Sequence, residues 1–310
     1  MKTISIVTSC YNEEANIELF VKTVTEVMDT LSDRYTWELI IADNCSTDNT
    51  RSILRDLASN DRRIKCIFNS NNFGVVRSSA NALMSATGDA VVTMCSDLQD
   101  PPRVILDFIR EWENGNKVVC GVKAKYGGSL YMTAIRKLYY AVLNRISEIP
   151  LIKNFHGFGL YDRCVIEATK KYKDPYPYFR GIISEVGFKR VEINYEQAVR
   201  KGGRSSYNLF DYFDYAVVGC VNYSKMPLHF AVFSGLAIAI ISLITAFIYL
   251  VYKLLYWDTF SLGLAPLVIG LFFFSAIQLI FIGLVGEYIG AIWTQVKNKP
   301  LVIEEERINF

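Results

Sequence analysis

The chain has 310 residues, 51% of them hydrophobic, and its 33 basic residues nearly balance 31 acidic ones for a net charge of +2. That length accommodates one large domain or two smaller ones, and the near balance, with no long basic block, excludes the electrostatic footprint of a nucleic-acid-binding protein. A mean hydropathy of +0.20 is high for a soluble enzyme and points to apolar segments concentrated in part of the chain.

Residues 4–8 follow a start with too short an apolar run for a signal peptide and read as a first strand. Residues 13–31 then place Ile17, Phe20, Val21, Val24, Val27, Met28 and Leu31 at helical spacing. Strands are predicted over 38–42, 64–68, 90–95 and 117–122, and helices over 50–58, 74–86 and 101–113, the last opening on proline. Short links between such units imply an α/β fold with a mostly parallel, doubly wound sheet. In open α/β sheets ligands collect beyond the carboxyl ends of the strands, which singles out residues 9–13, 43–48 and 95–102. No G-x-G-x-x-G turn follows the first strand, so a nicotinamide enzyme is disfavoured.

Residues 126–150 read as helical and basic on one face, with Arg136, Lys137 and Arg145, and residues 187–195 as a further strand. Residues 209–223 have roughly helical apolar spacing, which fits an amphipathic helix either on the membrane surface or docked on the catalytic domain. Residues 228–252 and 262–286 contain no Asp, Glu, Lys or Arg, and each stretch is long enough to cross a bilayer as a helix. Arg200, Lys201, Arg204 and Lys225 precede the first span and Lys297 and Lys299 follow the second. By the positive-inside rule the protein is a multi-pass protein of the cytoplasmic membrane, with the catalytic domain and both ends in the cytoplasm. The seven cysteines form no CxxC pair, as expected for reduced thiols in that compartment.

Asp97 and Gln99 are two apart at a strand end, so continued extended geometry puts both side chains on one side. Two oxygen donors, completed by diphosphate oxygens and water, suit Mg²⁺ or Mn²⁺. The bland alternative for Asp97 is a solvated turn residue. Asp100, before Pro101, is placed to cap the next helix. Asp43 follows an apolar strand, where a carboxylate can accept the imide N–H of uracil, and Asn44 can do so through its carbonyl oxygen. Arg77 lies on the predicted helix over 74–86, where a solvated helix face is the bland reading. Arg200, Lys201, Arg204 and Tyr207 lie just before the first span, where Arg forks can hold a lipid phosphate or simply set orientation. Lys123, Arg136 and Lys137 are further acceptor-side candidates.

Tyr11-Asn12-Glu13, Asp43-Asn44-Cys45-Ser46-Thr47-Asp48 and Asp97-Leu98-Gln99-Asp100-Pro101-Pro102 occur in that order. With Gly159-Leu160-Tyr161-Asp162-Arg163, the basic stretch of residues 200–207 and a two-helix tail ending in Gly286-Glu287-Tyr288-Ile289-Gly290, the chain resembles the GT-A glycosyltransferases of family 2. More narrowly, it resembles the polyprenyl-phosphate glycosyltransferases, the group of dolichol-phosphate mannose synthase and the bactoprenol glucosyltransferases. The resemblance implies a GT-A catalytic domain over 1–207, a juxtamembrane amphipathic helix over 208–226, a transmembrane hairpin over 227–296 and a cytoplasmic tail over 297–310. It implies inverting transfer of a sugar from a nucleotide-sugar, a UDP-sugar, to undecaprenyl or similar polyprenyl phosphate, with a divalent metal at Asp97 and Gln99. Tyr11 and Glu13 would line the nucleotide pocket beside Asp43, Asn44 and Arg77, and Asp162 would be an active-site residue near the acceptor. Homo-oligomers assembled through the membrane helices are a further implication.

The chain departs from the family pattern at three places. Asp43-Asn44-Cys45-Ser46 stands for D-D-G-S, Cys95-Ser96-Asp97 for D-A-D, and Gly159 for an Arg. The departures at Cys95 and Asn44 keep a membrane-tethered nucleotide-sugar sensor or scaffold in view as a non-enzyme alternative. A polysaccharide synthase of the same fold is a second alternative, although no Q-x-x-R-W motif is present.

Overall fold

Alternating β-branched and amphipathic segments give β1 (Lys2–Cys10), α1 (Ile17–Asp29), β2 (Tyr35–Asp43), α2 (Thr50–Asn60), β3 (Ile64–Asn69), α3 (Val75–Ser85), β4 (Ala90–Thr93), α4 (Val104–Glu113) and β5 (Val118–Lys123). Then come β6 (Phe155–Asp162), α5 (Arg163–Thr169), α6 (Phe179–Val186), β7 (Arg190–Tyr195), the long helices α7 (Met226–Leu255) and α8 (Leu264–Lys297), and β8 (Glu304–Ile308). This computed structural model describes residues 1–124, 145, 152, 155–172, 174–197, 224–255, 264–297 and 299–310. Expectations for Arg136, Lys137, Arg200, Lys201, Arg204 and Tyr207, and for the amphipathic helix up to residue 223, fall outside the described residues.

The strands form one sheet in the order β7-β5-β6-β4-β1-β2-β3-β8. β1 is flanked in parallel by β2, with Ile4 beside Trp37, and by β4, with Ile4 beside Ala90. The period of two along these strands sends alternate side chains to opposite faces. Ile4, Ile6, Leu39 and Ile41 pack with Phe20, Val24 and Met28 of α1. Val7, Ile40 and Val91 pack with Ala82 and Leu83 of α3 on the other face. Burial on both faces is what parallel sheets require, and each large core side chain contributes about 1.5–3 kcal/mol.

Two strands run against the others. β6 lies between β4 and β5 and is antiparallel to both. The sequence shows residues 155–163 as a motif rather than a strand. Gly159 is paired with Cys120 of β5, and a Cβ there would collide with the carbonyl oxygen of Val119, so this position has no room for the family's Arg. β8 pairs antiparallel with β3, with Cys66 beside Ile308 and Phe68 beside Glu306. The segment 297–310 is therefore not a free tail: it belongs to the sheet unit and completes its edge.

The second compact unit holds the two long helices. Met226–Leu255 and Gly270–Lys297 are long and apolar enough to cross a bilayer, with mean hydropathies of 2.5 and 1.8. Ser234 and Thr245 return their hydroxyls to the carbonyls of Phe230 (2.7 Å) and Ile241 (2.9 Å), which removes a desolvation cost from an apolar span.

Candidate active site

Three non-glycine residues take left-handed backbone conformations just past the carboxyl ends of β1, β2 and β4: Asn12 (φ 54°), Cys45 (φ 64°) and Leu98 (φ 57°). Such a conformation costs an L-residue about 1–2 kcal/mol, least for Asn, and strain of this kind clusters at functional sites. The first two turns are stitched together. Asn12 N–H donates to Ser46 Oγ (2.9 Å), Thr47 N–H donates to Asn12 Oδ1 (2.8 Å), and Glu13 N–H donates to Thr50 Oγ1 (2.9 Å). Glu14 receives the backbone N–H of Asn49 at 3.0 Å, so two motifs far apart in sequence form one wall.

Asp43 ends β2 and is fully buried. Its Oδ2 accepts from Ser46 N–H at 3.1 Å and lies 3.1 Å from Arg51 Nε. The latter is a charge contact rather than an aligned hydrogen bond, since Arg51 Nε makes none. The other oxygen, Oδ1, is buried and has no partner among the described residues. Burial pushes the Asp43 carboxyl above its ordinary range, only partly opposed by Ser46 and the Arg51 charge. An unpartnered buried acceptor costs free energy unless a ligand donates to it. Tyr11, 41% exposed, and Glu13 stand on the neighbouring turn, Glu13 taking the Asn16 amide on Oε2 at 2.6 Å.

Asp97 sits partly exposed beyond β4, and its Oδ1 accepts a long 3.2 Å bond from Gln99 N–H. The chain here turns at Leu98 instead of continuing as a strand, so the expected same-side projection of Asp97 and Gln99 does not arise. Gln99 Oε1 instead accepts from Gln197 Nε2 at 2.6 Å, so Asp97 and Gln99 do not stand as a pair of open oxygen donors. Asp100 is not a helix cap either: α4 starts at Val104, and Asp100 turns inward to accept from Tyr195 OH at 2.5 Å. Burial raises the Asp100 carboxyl, with the Asp97 charge adding to this, against the Tyr195 bond and the nearby Lys123 charge. Lys123 is itself buried, at the end of β5.

No cluster of three or more His, Cys, Asp or Glu side chains able to hold a metal occurs among the described residues. One accessible carboxylate still fits Mg²⁺ or Mn²⁺ of the kind that takes most of its ligands from substrate phosphates and water. Asp97 is that carboxylate.

Three further expectations are corrected. Asn44 is 3% exposed with both ends of its amide engaged: Oδ1 takes Phe73 N–H (3.0 Å) and Asn69 Nδ2 (3.3 Å), while Nδ2 donates to Asn72 Oδ1 (2.6 Å). It shapes the turn into α3 and has no acceptor left for a base. Arg77 donates from Nη2 to the Pro300 carbonyl at 2.5 Å and stacks over Phe73, so it fastens the C-terminal segment instead of reaching a nucleotide.

Asp162 lies opposite Ala90, at the start of β4 and thus the wrong end of the sheet from Asp97. It caps α5 by accepting from Cys164 N–H (3.1 Å) and takes Trp112 Nε1 (2.8 Å) and Lys117 Nζ (3.0 Å) on its other oxygen. Burial alone would raise its carboxyl, but these donors outweigh burial and hold it well below the usual range. Asp162→Ala is therefore expected to cost about 3 kcal/mol of stability and leave nucleotide binding intact, as read by thermal unfolding and nucleotide titration of the variant. Because the folded-state carboxyl is depressed, that stability is present above about pH 4 and is lost as pH falls toward the folded value.

Arg51 and Tyr195 were not legible as site residues. Neither lies in a motif: Arg51 reaches Asp43 from the first turn of α2, and Tyr195 reaches Asp100 from the end of β7.

Residues 5–169 match the glycosyl transferase family 2 domain. An uncharacterized glycosyltransferase of Bacillus subtilis (strain 168) is 33% identical over 303 residues, covering 97% of this chain and 93% of that protein. A prophage bactoprenol glucosyl transferase homolog of Escherichia coli (strain K12) is 32% identical over 306 residues, with 97% of each covered. The bactoprenol glucosyl transferase of Shigella phage SfII is 31% identical over 301 residues, covering 97% of this chain and 96% of that one. Among solved structures, a mannosyltransferase from Pyrobaculum calidifontis in complex with GDP-Man and Mn²⁺ is 20% identical, with 95% of this chain and 86% of that chain covered and a TM-score of 0.48. With a family domain spanning over half its length and a site on the carboxyl ends of a mostly parallel GT-A sheet, the chain belongs to glycosyl transferase family 2 and is a glycosyltransferase.

Proposed function

We propose that the protein transfers one sugar, with inversion, from a UDP-sugar to undecaprenyl or a similar polyprenyl phosphate at the cytoplasmic face of the membrane. The observation that carries this reading is a pair of carboxylates beyond β2 and β4, the two parallel strands that flank β1: Asp43 with a buried oxygen awaiting a donor, and Asp97 with an accessible one. Asp43 Oδ1 would accept the base imide N–H, Tyr11 would flank the base, and Asp97 would hold Mg²⁺ or Mn²⁺. The bactoprenol glucosyl transferases similar to this chain along its whole length, and the two apolar helices, support a lipid acceptor.

In the reaction the lipid phosphate oxygen attacks C1 of the sugar, the bond from C1 to the β-phosphate oxygen breaks, and the nucleoside diphosphate leaves with the electron pair. The acceptor is already ionised near neutral pH, its second pKa being about 6, so no general base is required, in keeping with the remote position of Asp162. A divalent cation bound at Asp97 would supply neutralisation of the charge growing on the leaving diphosphate. Arg200, Lys201, Arg204, Tyr207 and Arg136 would hold the acceptor phosphate, and the membrane spans would bring acceptor and donor together.

Purified full-length protein in detergent, given labelled UDP-sugars, Mn²⁺ and polyprenyl phosphate, is expected to form a lipid-linked sugar identifiable by mass spectrometry. Intact nucleotide binding with no lipid product from any donor would sink the proposal.

A further inference from the structure

β8 does more than cover an edge. Glu305 on this strand accepts from Arg51 Nη2 at 2.7 Å, and the same guanidinium places its Nε 3.1 Å from Asp43. Arg51 rests on the Phe68 ring at 5.1 Å and is largely buried, whereas Glu305 is mostly exposed. A planar guanidinium gripped at one end by Glu305 has its other edge fixed, so the direction of its field at Asp43 is set by the C-terminal strand. Several bonds hold that strand in register. Ser70 N–H donates to the Ile303 carbonyl (3.0 Å), Asn81 Nδ2 donates to Glu304 (2.6 Å), and Asn309 Nδ2 donates to the carbonyls of Ala58 (2.7 Å) and Ile64 (2.8 Å).

We infer that Glu305 is a positioning residue for nucleotide recognition: by fixing the Arg51 guanidinium it holds the Asp43 carboxylate in place for the nucleotide base. The inference rests on the assignment of Asp43 to the base. It makes a strand encoded after both apolar helices part of the donor site.

A neighbouring pair supplies the internal control. Arg55 and Glu306 join the same two elements, also at 2.7 Å, and Arg55 also stacks on Phe68, yet this pair makes no contact with Asp43. Each pair is at least partly exposed, so losing either one costs stability by a similar small amount.

The test uses the full-length protein in detergent and measures binding of UDP, with GDP, CDP and ADP alongside to identify the nucleoside diphosphate held best. Glu305→Ala is expected to weaken that binding about fivefold and to raise the donor KM in step, with kcat changed less than twofold. Glu305→Gln, which keeps an oxygen acceptor without the charge, is expected to recover part of the loss. Glu306→Ala is expected to leave binding unchanged at a comparable melting temperature. Equal effects from Glu305→Ala and Glu306→Ala, or none from Glu305→Ala, overturn the inference. An Asp43→Asn variant separates the two levels: weakened binding there with none in Glu305→Ala rejects the relay alone. Unchanged binding in Asp43→Asn, or no binding of any of the four nucleotides by the unaltered chain, rejects the base assignment as well.

Discussion

Asp97→Asn is expected to lower kcat for sugar transfer by at least about a hundredfold, with a far smaller change in nucleotide affinity measured without metal. The magnitude follows from the site's composition. Cys95 replaces the family's other carboxylate and Asp100 is buried, so Asp97 is the accessible acid beyond β4 among the described residues. Asparagine keeps one oxygen but loses the charge that attracts the cation, and losing one well-placed electrostatic contact to a leaving anion costs about 10²–10³ in rate. The deficit is largely one of metal occupancy, so raising Mn²⁺ should restore part of the rate in the variant. Steady-state rates across a Mn²⁺ titration check this, and a variant with full rate at low Mn²⁺ would remove Asp97 from the metal site.

Asp43→Asn is expected to weaken nucleoside diphosphate binding by about tenfold to a hundredfold, the size of one hydrogen bond to a charged acceptor. It should nevertheless leave the melting temperature unchanged or higher. Removing one partner of a buried ion pair usually destabilises by about 3–5 kcal/mol because the other charge is stranded. Here Arg51 keeps Glu305 and partial solvent access, so no charge is stranded. Burial raises the Asp43 carboxyl, which means the folded state disfavours its ionised form. That penalty grows as pH rises through the unfolded value of about 3.9 and is complete above the folded one, so the neutral amide relieves it at pH 7. Thermal unfolding paired with nucleotide titration reads both effects. A strongly destabilised variant with unchanged affinity would make Asp43 a structural residue.

The parallel half of the fold was legible because its physics is local. Ile4 to Thr8, Leu39 to Ile41 and Ala90 to Thr93 are β-branched or apolar runs, each followed by amphipathic helix spacing, and this pattern alone fixes βα units. The carboxyl-end rule then located Asp43 and Asp97. The antiparallel strands were illegible for opposite reasons. β6 reads as a glycine-rich motif because Gly159 serves close backbone approach and Gly157 takes a positive φ. The Glu-Glu-Glu-Arg-Ile of β8 carries charges suited to a sheet edge, with almost no apolar signal.

Site roles failed where they depended on partners distant in sequence. Gln99 looks like a free oxygen donor until Gln197 is placed beside it, and Asn44 looks available until Phe73, Asn69 and Asn72 enclose it. Asp162 was misplaced because the direction of β6 decides which end of the sheet it occupies, and direction is set by pairing rather than composition.

The position of β8 orders the birth of the protein. A ribosome makes β1 to β7 first, then both apolar helices, and only afterwards the residues that seal β3 and grip Arg51. Until then the nascent sheet carries an open edge able to pair with other chains. A fragment cut before α7 would keep that edge permanently and lack the Arg51 clamp. On the inferred role of Glu305, donor recognition reaches its full strength only once the segment that follows both apolar helices has been synthesised.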